Sequence, residues 1–170
     1  MVSVSTRVCA GVCRLTSYKL TGLKMRAIYS TMMRIMALDY GTKKIGVAFS
    51  DPTGGFVSET VTIRSKSEKE ALQKISDMAE ELNVGRILLG YPLLEDGSAG
   101  EMARAVQKFK LKLEKQLDQQ IVLVDERFTS EEAEEYLHAQ GKKIKGNRDK
   151  LDAISAAILL TDYLRETGRL

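Results

Sequence analysis

Cysteine is scarce in this chain of 170 residues, which has two, Cys9 and Cys13, both within the first 33 residues. The rest of the chain has no thiol, which excludes disulfide scaffolding and thiolate metal sites there. Histidine is scarcer still, because the single His138 lies among glutamates in a segment that resembles an exposed helix. A metal bound by the body of the chain must therefore have oxygen ligands.

Long apolar runs are also missing. No stretch approaches the roughly 20 residues that a helix needs to cross a bilayer, so a membrane role is not expected. The length suits one domain with a substantial core and is too short for two domains of ordinary size. The sequence has neither an internal repeat nor a low-complexity segment.

Acidic residues are absent from residues 1–33, which hold five of the 26 lysines and arginines. The remainder has 21 basic and 23 acidic residues, a net charge of −2, so a nucleic acid would have to be held by a local patch. The leader fits a transit peptide or a non-native upstream extension, and we favour the extension because a strand pattern starts directly after Met33. We expect residues 1–33 to be disordered and residues 34–170 to form the domain.

The body opens with three strand patterns, at residues 34–39, 45–50 and 57–63. Gly41 and Gly46 lie where we expect tight turns. Three successive strands with short links predict an antiparallel meander.

Helical spacing then alternates with apolar runs. Ser67 and Ser98 each precede a glutamate by three residues, which predicts a capped helix after each of them. "GRILLGYP" and the run at 121–124 predict strands covered on both faces. Thr129 opens a further predicted helix, and "LDAISAAILLTDYL" predicts a last one. The order predicts an α/β fold with a mixed five-stranded sheet, an antiparallel meander followed by parallel strands, and helices on both faces.

Four acids lie where local rules disfavour charge. Asp39 ends the first strand, Asp125 and Glu126 end the 121–124 strand, and Asp152 lies in the last helix. Each has a local explanation, such as a turn bond made by Asp39, but the ends of neighbouring strands can bring them to one sheet edge. Buried carboxylates repel one another unless they are protonated or bridged by cations, and hard oxygen ligands select Mg²⁺ or Mn²⁺. Such ions hydrolyse phosphodiesters.

Basic residues lie near these acids in the sequence. The candidates for nucleic-acid binding are Lys43, Lys44, Arg127, Lys142, Lys143, Lys145 and Arg148. The loop at 142–150 could hold a phosphate backbone beside the metal, and the alternative is a solvated loop whose charges serve solubility.

Four stretches, "MALDYGTKKIGVAFSD", "GYPLLEDGS", "DERFTS" and "LDAISAAILL", resemble the signature blocks of the YqgF family, RNase H-like proteins described as pre-16S ribosomal RNA nucleases and relatives of Holliday junction resolvases. The resemblance covers residues 34–163. It implies an RNase H-like fold, a divalent-metal nuclease activity, a bacterial cytoplasmic setting and processing of the 5′ end of pre-16S rRNA. By position it assigns the metal to Asp39, Asp125, Glu126 and Asp152, and it leaves open which of the adjacent pair binds.

One departure from the family pattern bears on the substrate. The resolvase relatives carry an acid at the end of the fourth strand, where this chain has Gly90, Tyr91 and Pro92. This difference makes resolvase activity less expected for this chain. It also means that Asp125 or Glu126 of the "DER" stretch would have to supply the metal ligand.

Several functions therefore stay open. The first hypothesis is a metal-dependent endonuclease acting on structured RNA, as a monomer or a homodimer. The same chemistry on branched DNA would require a two-fold dimer. "DYGTKKIGVA" also resembles the first phosphate loop of actin-like ATPases, although those proteins bind ATP between two copies of the fold. A non-catalytic module that binds ribosomal RNA or an assembly partner is the remaining alternative.

Overall fold

The computed structural model describes residues 33–126 and 148–170, which form one mixed sheet and the helices packed on it. The strands are β1 (Arg34–Tyr40), β2 (Lys44–Ser50), β3 (Val57–Arg64), β4 (Val84–Tyr91) and β5 (Gln120–Asp125). The described helices are α1 (Glu68–Glu81), α2 (Glu101–Leu113) and α3 (Arg148–Glu166). The predicted strands are confirmed, with ends that differ by one residue at most positions.

The strand order across the sheet is β3-β2-β1-β4-β5. β2 is antiparallel to both β1 and β3, whereas β4 is parallel to both β1 and β5. The sheet is therefore the predicted meander followed by parallel strands. The carboxyl ends of β1, β4 and β5 lie at the same edge, which is the edge where open α/β sheets bind ligands.

Helices cover both faces of the sheet because β1 and β4 are apolar on both sides. Met36 and Leu38 belong to the core under α1 and α2, while Ile35 and Ala37 belong to the core under α3. This alternation follows from the period of two along a strand. The residue after Leu38 on the α3 side is Asp39, so the polar site begins where the second core ends.

The two predicted helix caps have different outcomes. Ser67 is the N-cap of α1 and accepts the Glu70 N–H at 3.2 Å, as predicted. The cap at Ser98 is wrong, because α2 begins after Gly100 and has no side-chain cap. Ser98 instead donates its backbone N–H to Asp96 Oδ1 within a short turn that contains Gly97 at φ +80°. Ser98 therefore belongs to this turn and is not the N-cap of α2.

Gly46 also departs from its prediction. It lies inside β2, opposite Asp39 on β1, rather than in a turn. Gly41 does lie in the turn between β1 and β2, where its N–H donates to the Lys44 carbonyl at 3.0 Å. Glycine inside a strand often marks a close backbone approach, and Gly46 has such a neighbour, described below.

Some predictions fall outside the described residues. They are the disordered leader, the helix opened by Thr129, and the side chains of the loop at 142–150. Among residues 33–126 and 148–170, no helix is long and apolar enough to cross a membrane.

Candidate active site

The site is built around Asp39 at the carboxyl end of β1. The strand alternation turns Asp39 to the α3 face, while Leu38 and Tyr40 pack on the α1 and α2 side. Asp39 is partly buried, and it accepts hydrogen bonds from Glu126 and from Ser155 of α3. A carboxylate is therefore fixed at the sheet edge by partners from two other segments.

Gly46 lets α3 come close enough to deliver the second acid. A Cβ built on Gly46 would lie 1.9 Å from the Asp152 carbonyl oxygen and 2.4 Å from its carbonyl carbon. The part of α3 around Asp152 therefore rests directly on the β2 backbone, next to Asp39. This contact brings Asp152 close enough for its charge to act on Asp39.

Gly90 makes the corresponding space for the third acid. Glu126 directly follows β5 and its side chain reaches back across β4, where a Cβ on Gly90 would lie 2.5 Å from Glu126 Oε2. Its backbone N–H donates to the Tyr91 carbonyl at 3.3 Å, which holds the chain against the end of β4. The carboxyl group of Glu126 thus arrives at Asp39 from the far side of a strand.

The electrostatics of the three acids follow from this crowding. Burial, followed by the charge of Asp39 and a hydrogen bond to it, raises the pKa of Glu126 to about 9. Burial and the charge of Asp152 raise the pKa of Asp39 to about 6, against the lowering effect of its hydrogen bonds. Near neutral pH, Glu126 is therefore the protonated partner and donates to Asp39.

Asp152 has a different environment from that pair. Its burial raises its pKa, and the nearby charge of Lys44 acts in the opposite direction. Lys44 opens β2 on the same side of the sheet. The charge of Glu126 is therefore removed by a proton, whereas the charge of Asp152 is partly compensated by the ammonium group of Lys44.

The chemistry of these donors fits a hard divalent cation. Asp39, Glu126 and Asp152 supply carboxylate oxygens, which Mg²⁺ and Mn²⁺ prefer. Within the described ranges 33–126 and 148–170, no three His, Cys, Asp or Glu side chains are already drawn together as a metal site. Asp39 is the acid that links the other two, because it is hydrogen-bonded to Glu126 and is acted on by the charge of Asp152.

The remaining predicted residues are placed as follows. Asp125 lies opposite Tyr91 at the end of β5 and is exposed, while its neighbour Glu126 makes the hydrogen bond to Asp39. Lys43 is exposed in the turn between β1 and β2. Arg127, Lys142, Lys143 and Lys145 lie outside the described residues, and of Arg148 only the backbone at the start of α3 is described.

Sequence reasoning missed the part played by Ser155. It is 2% exposed, lies three residues after Asp152, and donates to Asp39. Residues three apart on a helix share a face, so the spacing itself could have identified it. The space at Gly90 had no comparable signal, because it depends on a side chain that arrives from β5.

Comparison with known proteins identifies the family of this chain. A family model described as RuvX, Holliday junction resolvase, matches residues 33–166. This chain belongs to the RuvX family. The match includes Asp39, Glu126 and Asp152, so the acids that the fold brings together all lie inside the RuvX region.

Close relatives of this RuvX chain cover nearly its whole body. A protein from Sulfurihydrogenibium sp. is 40% identical over 135 residues, which are 78% of this chain and 90% of the relative. A protein from Roseiflexus sp. is 37% identical over 131 residues, which are 77% of this chain and 93% of the relative. Both bear the provisional name pre-16S rRNA nuclease.

Solved structures with the same fold include two junction resolvases bound to Holliday junctions. Thermus thermophilus RuvC has a TM-score of 0.53 and 9% identity, over 80% of this chain and 96% of its own. The fowlpox virus resolvase has a TM-score of 0.54 and 10% identity, over 79% of this chain and 99% of its own. At such low identity these likenesses establish the RNase H-like fold of the RuvX chain and nothing beyond it.

Proposed function

We propose that this RuvX chain is a divalent-metal-dependent endonuclease that hydrolyses a phosphodiester at the 5′ end of pre-16S ribosomal RNA in the cytoplasm. The observation that carries the proposal is the convergence of Asp39, Glu126 and Asp152 from a strand, a strand end and a helix. A fold gains nothing in stability from gathering three partly buried acids. A bound cation would compensate their charges and would explain why the three acids lie together.

In this proposal Asp39, Glu126 and Asp152 hold Mg²⁺ or Mn²⁺. When bound, such an ion activates water toward phosphorus and stabilises the charge on the leaving oxygen. Ser155 orients Asp39 by donating a hydrogen bond to it. As a ligand, Glu126 would be ionised, and its proton would pass to solvent.

Lys43 and Lys44 support the proposal on the substrate side. Both follow Asp39 within a few residues, and Lys43 is exposed at the tip of the β1–β2 turn. An ammonium group at that position suits a phosphate of the bound strand. Arg127, Lys142, Lys143, Lys145 and Arg148 remain candidates for the same surface. Asp125 remains a candidate metal ligand beside Glu126.

The test uses the full chain and a 5′-extended precursor of small-subunit rRNA. We expect cleavage with Mg²⁺ or Mn²⁺ and none with EDTA, and we expect Asp39→Asn and Glu126→Gln to lose it. Asp162→Asn is the matched control, because Asp162 is an acid of α3 whose side chain is 44% exposed and pairs with Arg165 at 3.3 Å. Full cleavage by Asp39→Asn would contradict the proposal.

The family description favours a second candidate, resolution of four-way DNA junctions. That activity needs two symmetric cuts and hence a two-fold dimer. The parallel assay offers a four-way DNA junction in the same buffers, with the oligomeric state measured by sedimentation. Cleavage of the junction by a dimer, with the RNA left intact, would replace the first candidate with the second. Binding of either substrate without cleavage would favour a non-catalytic module.

A further inference from the structure

A small cavity lies at the same sheet edge as the acids but on the opposite face. It has a volume of about 160 Å³ and is bounded by Tyr40, Ile45, Phe109 and the segment 65–68, together with the β1–β2 turn. Tyr40 directly follows Asp39 on β1, and the strand alternation turns its ring away from the acids. The cavity and the acid site are thus separated by the end of a single strand.

The floor of the cavity is aromatic. Tyr40 packs on Phe109 of α2 with ring centroids 4.4 Å apart and planes inclined by 35°. Phe109 is fully buried, whereas Tyr40 is partly exposed and lines the cavity. A fixed aromatic ring with an accessible surface suits stacking with a flat aromatic group.

The rim of the cavity is polar and does not repel phosphate. Ser65 and Lys66 lie on the rim, and Ser67 accepts the Glu70 N–H as the cap of α1. Glu68 also lies on the rim, but its carboxylate is paired with Lys112 of α2. An anionic chain that passes this rim therefore meets hydroxyl groups, an ammonium group and a compensated acid.

The size of the cavity limits what it can hold. A 150 Å³ apolar cavity accommodates about one benzene ring, and pockets for complete small molecules start at roughly 300 Å³. The cavity therefore has space for one aromatic ring system and not for a whole nucleoside triphosphate. A single base, attached to a chain that continues outside, matches both the volume and the polar rim.

We infer that this cavity receives one base of the nucleic-acid strand that is cut at Asp39. The inference rests on the proposed function, since it needs a nucleic acid at the acid site. A strand that crosses the β1–β2 turn can place a phosphate beside the acids on one face and a neighbouring base against Tyr40 on the other. Lys43, exposed at the tip of that turn, lies where the backbone would cross.

The test fills the cavity and measures binding without cleavage. Ser65→Trp places a large ring inside, and Gln120→Trp places the same ring at the exposed amino end of β5, at the other end of the sheet. Dissociation constants are measured in EDTA by fluorescence anisotropy for the 5′-extended rRNA fragment and for the four-way DNA junction. Since stacking of one base changes affinity by roughly 5- to 150-fold, we expect Ser65→Trp to weaken binding within that range and Gln120→Trp to leave it unchanged.

Abasic substitutions identify the base. In the wild type, removal of the base at one position should weaken binding about as much as Ser65→Trp does, and in Ser65→Trp that position should no longer matter. The loss of affinity is expected with the RNA fragment if the cavity binds an RNA base, and with the DNA junction if it binds a DNA base. If Ser65→Trp does not fold, Tyr40→Leu should weaken binding and Tyr40→Phe should preserve it.

The outcomes separate this inference from the proposed function. Equal dissociation constants for Ser65→Trp and Gln120→Trp, with no sensitive base, would overturn the inference even if wild-type cleavage is normal. Absence of metal-dependent cleavage would contradict the proposed function, while the binding comparison in EDTA would still decide whether the cavity holds a base.

Discussion

Asp39 and Glu126 meet across β4 through a hydrogen bond that two carboxyl groups can make only while one of them holds a proton. Glu126 keeps that proton because burial and the charge of Asp39 both disfavour its ionised form. In the unfolded chain, Glu126 would be ionised at neutral pH. Folding at neutral pH therefore requires Glu126 to take up a proton, which lowers the free energy of unfolding. A cation bound by the folded state would raise it again.

The first prediction follows from that proton. The pKa of Glu126 rises from 4.5 to about 9 on folding, so the folded state binds one proton more than the unfolded state between those values. Wild-type stability then falls as pH rises through that window. Glu126→Gln is neutral and similar in shape, so in EDTA we expect it to be more stable than wild type by about 1–3 kcal/mol near neutral pH. Urea unfolding measures the difference.

The control for this prediction is Glu95→Gln, which changes an exposed acid in the loop after β4. It should leave the free energy of unfolding within about 0.5 kcal/mol of wild type. The gain from Glu126→Gln should grow from about pH 5 toward about pH 9. A gain that is independent of pH, or a loss, would refute the protonated state of Glu126.

Two glycines of the site provide a second prediction, because alanine meets different atoms at each. At Gly90 the new Cβ meets the end of the Glu126 side chain, which can swing away, so Gly90→Ala should fold and lose cleavage. At Gly46 the new Cβ meets the backbone of Asp152, and α3 must shift as a whole. We expect Gly46→Ala to lower the free energy of unfolding by about 1–3 kcal/mol or more.

Thermal melts and cleavage rates measured together separate the two glycines. Gly100→Ala is the comparison, since its Cβ would lie 3.4 Å from the Leu94 side chain, at the edge of ordinary contact. It should cost less than about 1 kcal/mol. A Gly90→Ala protein with full activity would show that Glu126 does not need its present position.

At the scale of elements, the link between β2 and β3 is built on a fourth acid, which is more deeply buried than the three of the site. Asp51 is 6% exposed and accepts N–H groups from Thr53, Gly55 and Phe56 at 2.7–3.0 Å. Burial acts to raise its pKa, but these bonds and the Thr53 hydroxyl outweigh burial and lower the pKa to about 2. The ionised carboxylate thus organises the whole turn.

The third prediction concerns this turn. Lowering the pKa of Asp51 from 3.8 to about 2 corresponds to roughly 2.5 kcal/mol, so Asp51→Ala should lower the free energy of unfolding by about that amount near neutral pH. Because the folded pKa is depressed, the contribution of Asp51 is present above about pH 4 and disappears as pH falls toward about 2. Urea unfolding at several pH values should show wild type and variant converging in acid. A constant difference would contradict the role assigned to the charge.

The same elements indicate how far sequence reasoning extends. The strands could be predicted because apolar periodicity records burial directly, and Ser67 could be predicted because a cap depends on local bonding. Ser98 has the same pattern three residues before Glu101, yet the turn around Gly97 uses it before α2 begins. The sequence pattern alone cannot show whether Ser98 caps α2 or belongs to the turn before it.

The site shows the same boundary between what could and could not be predicted. The convergence of acids could be predicted from strand ends that share a sheet edge. The choice of Glu126 over Asp125 as the partner of Asp39 could not, because it depends on the space above Gly90 in another strand. The sequence pattern wrongly places Gly46 in a turn for a related reason, since the atoms closest to Gly46 belong to α3, more than a hundred residues later.

At the scale of the whole molecule, the two ends of the sheet have opposite roles. The end that holds Asp51 satisfies its charge with backbone N–H groups and stabilises the fold. The end that holds Asp39 gathers charges that repel one another. Glu126 follows β5 and reaches over Gly90 of β4 to Asp39, so the end of one strand supplies a carboxylate to another strand.

The last prediction links metal, proton and global stability. A cation that binds Asp39, Glu126 and Asp152 binds the folded state alone, so Mg²⁺ or Mn²⁺ should raise the melting temperature. At a metal concentration 100 times the dissociation constant the gain is about 2.7 kcal/mol, or roughly 5–10 °C for a domain of this size. Differential scanning fluorimetry with a metal titration measures it, with Asp162→Asn as the responsive control and Asp39→Asn as the unresponsive variant.

The pH dependence of that gain identifies the ligand. Because the cation must displace the proton of Glu126, whose pKa is raised to about 9, metal affinity should fall as pH falls below that value. In Glu126→Gln there is no proton to displace, so the metal response should be weaker and should lose most of its pH dependence. A wild-type melting temperature that rises equally with metal at every pH would place the cation away from Glu126, even if cleavage still required it.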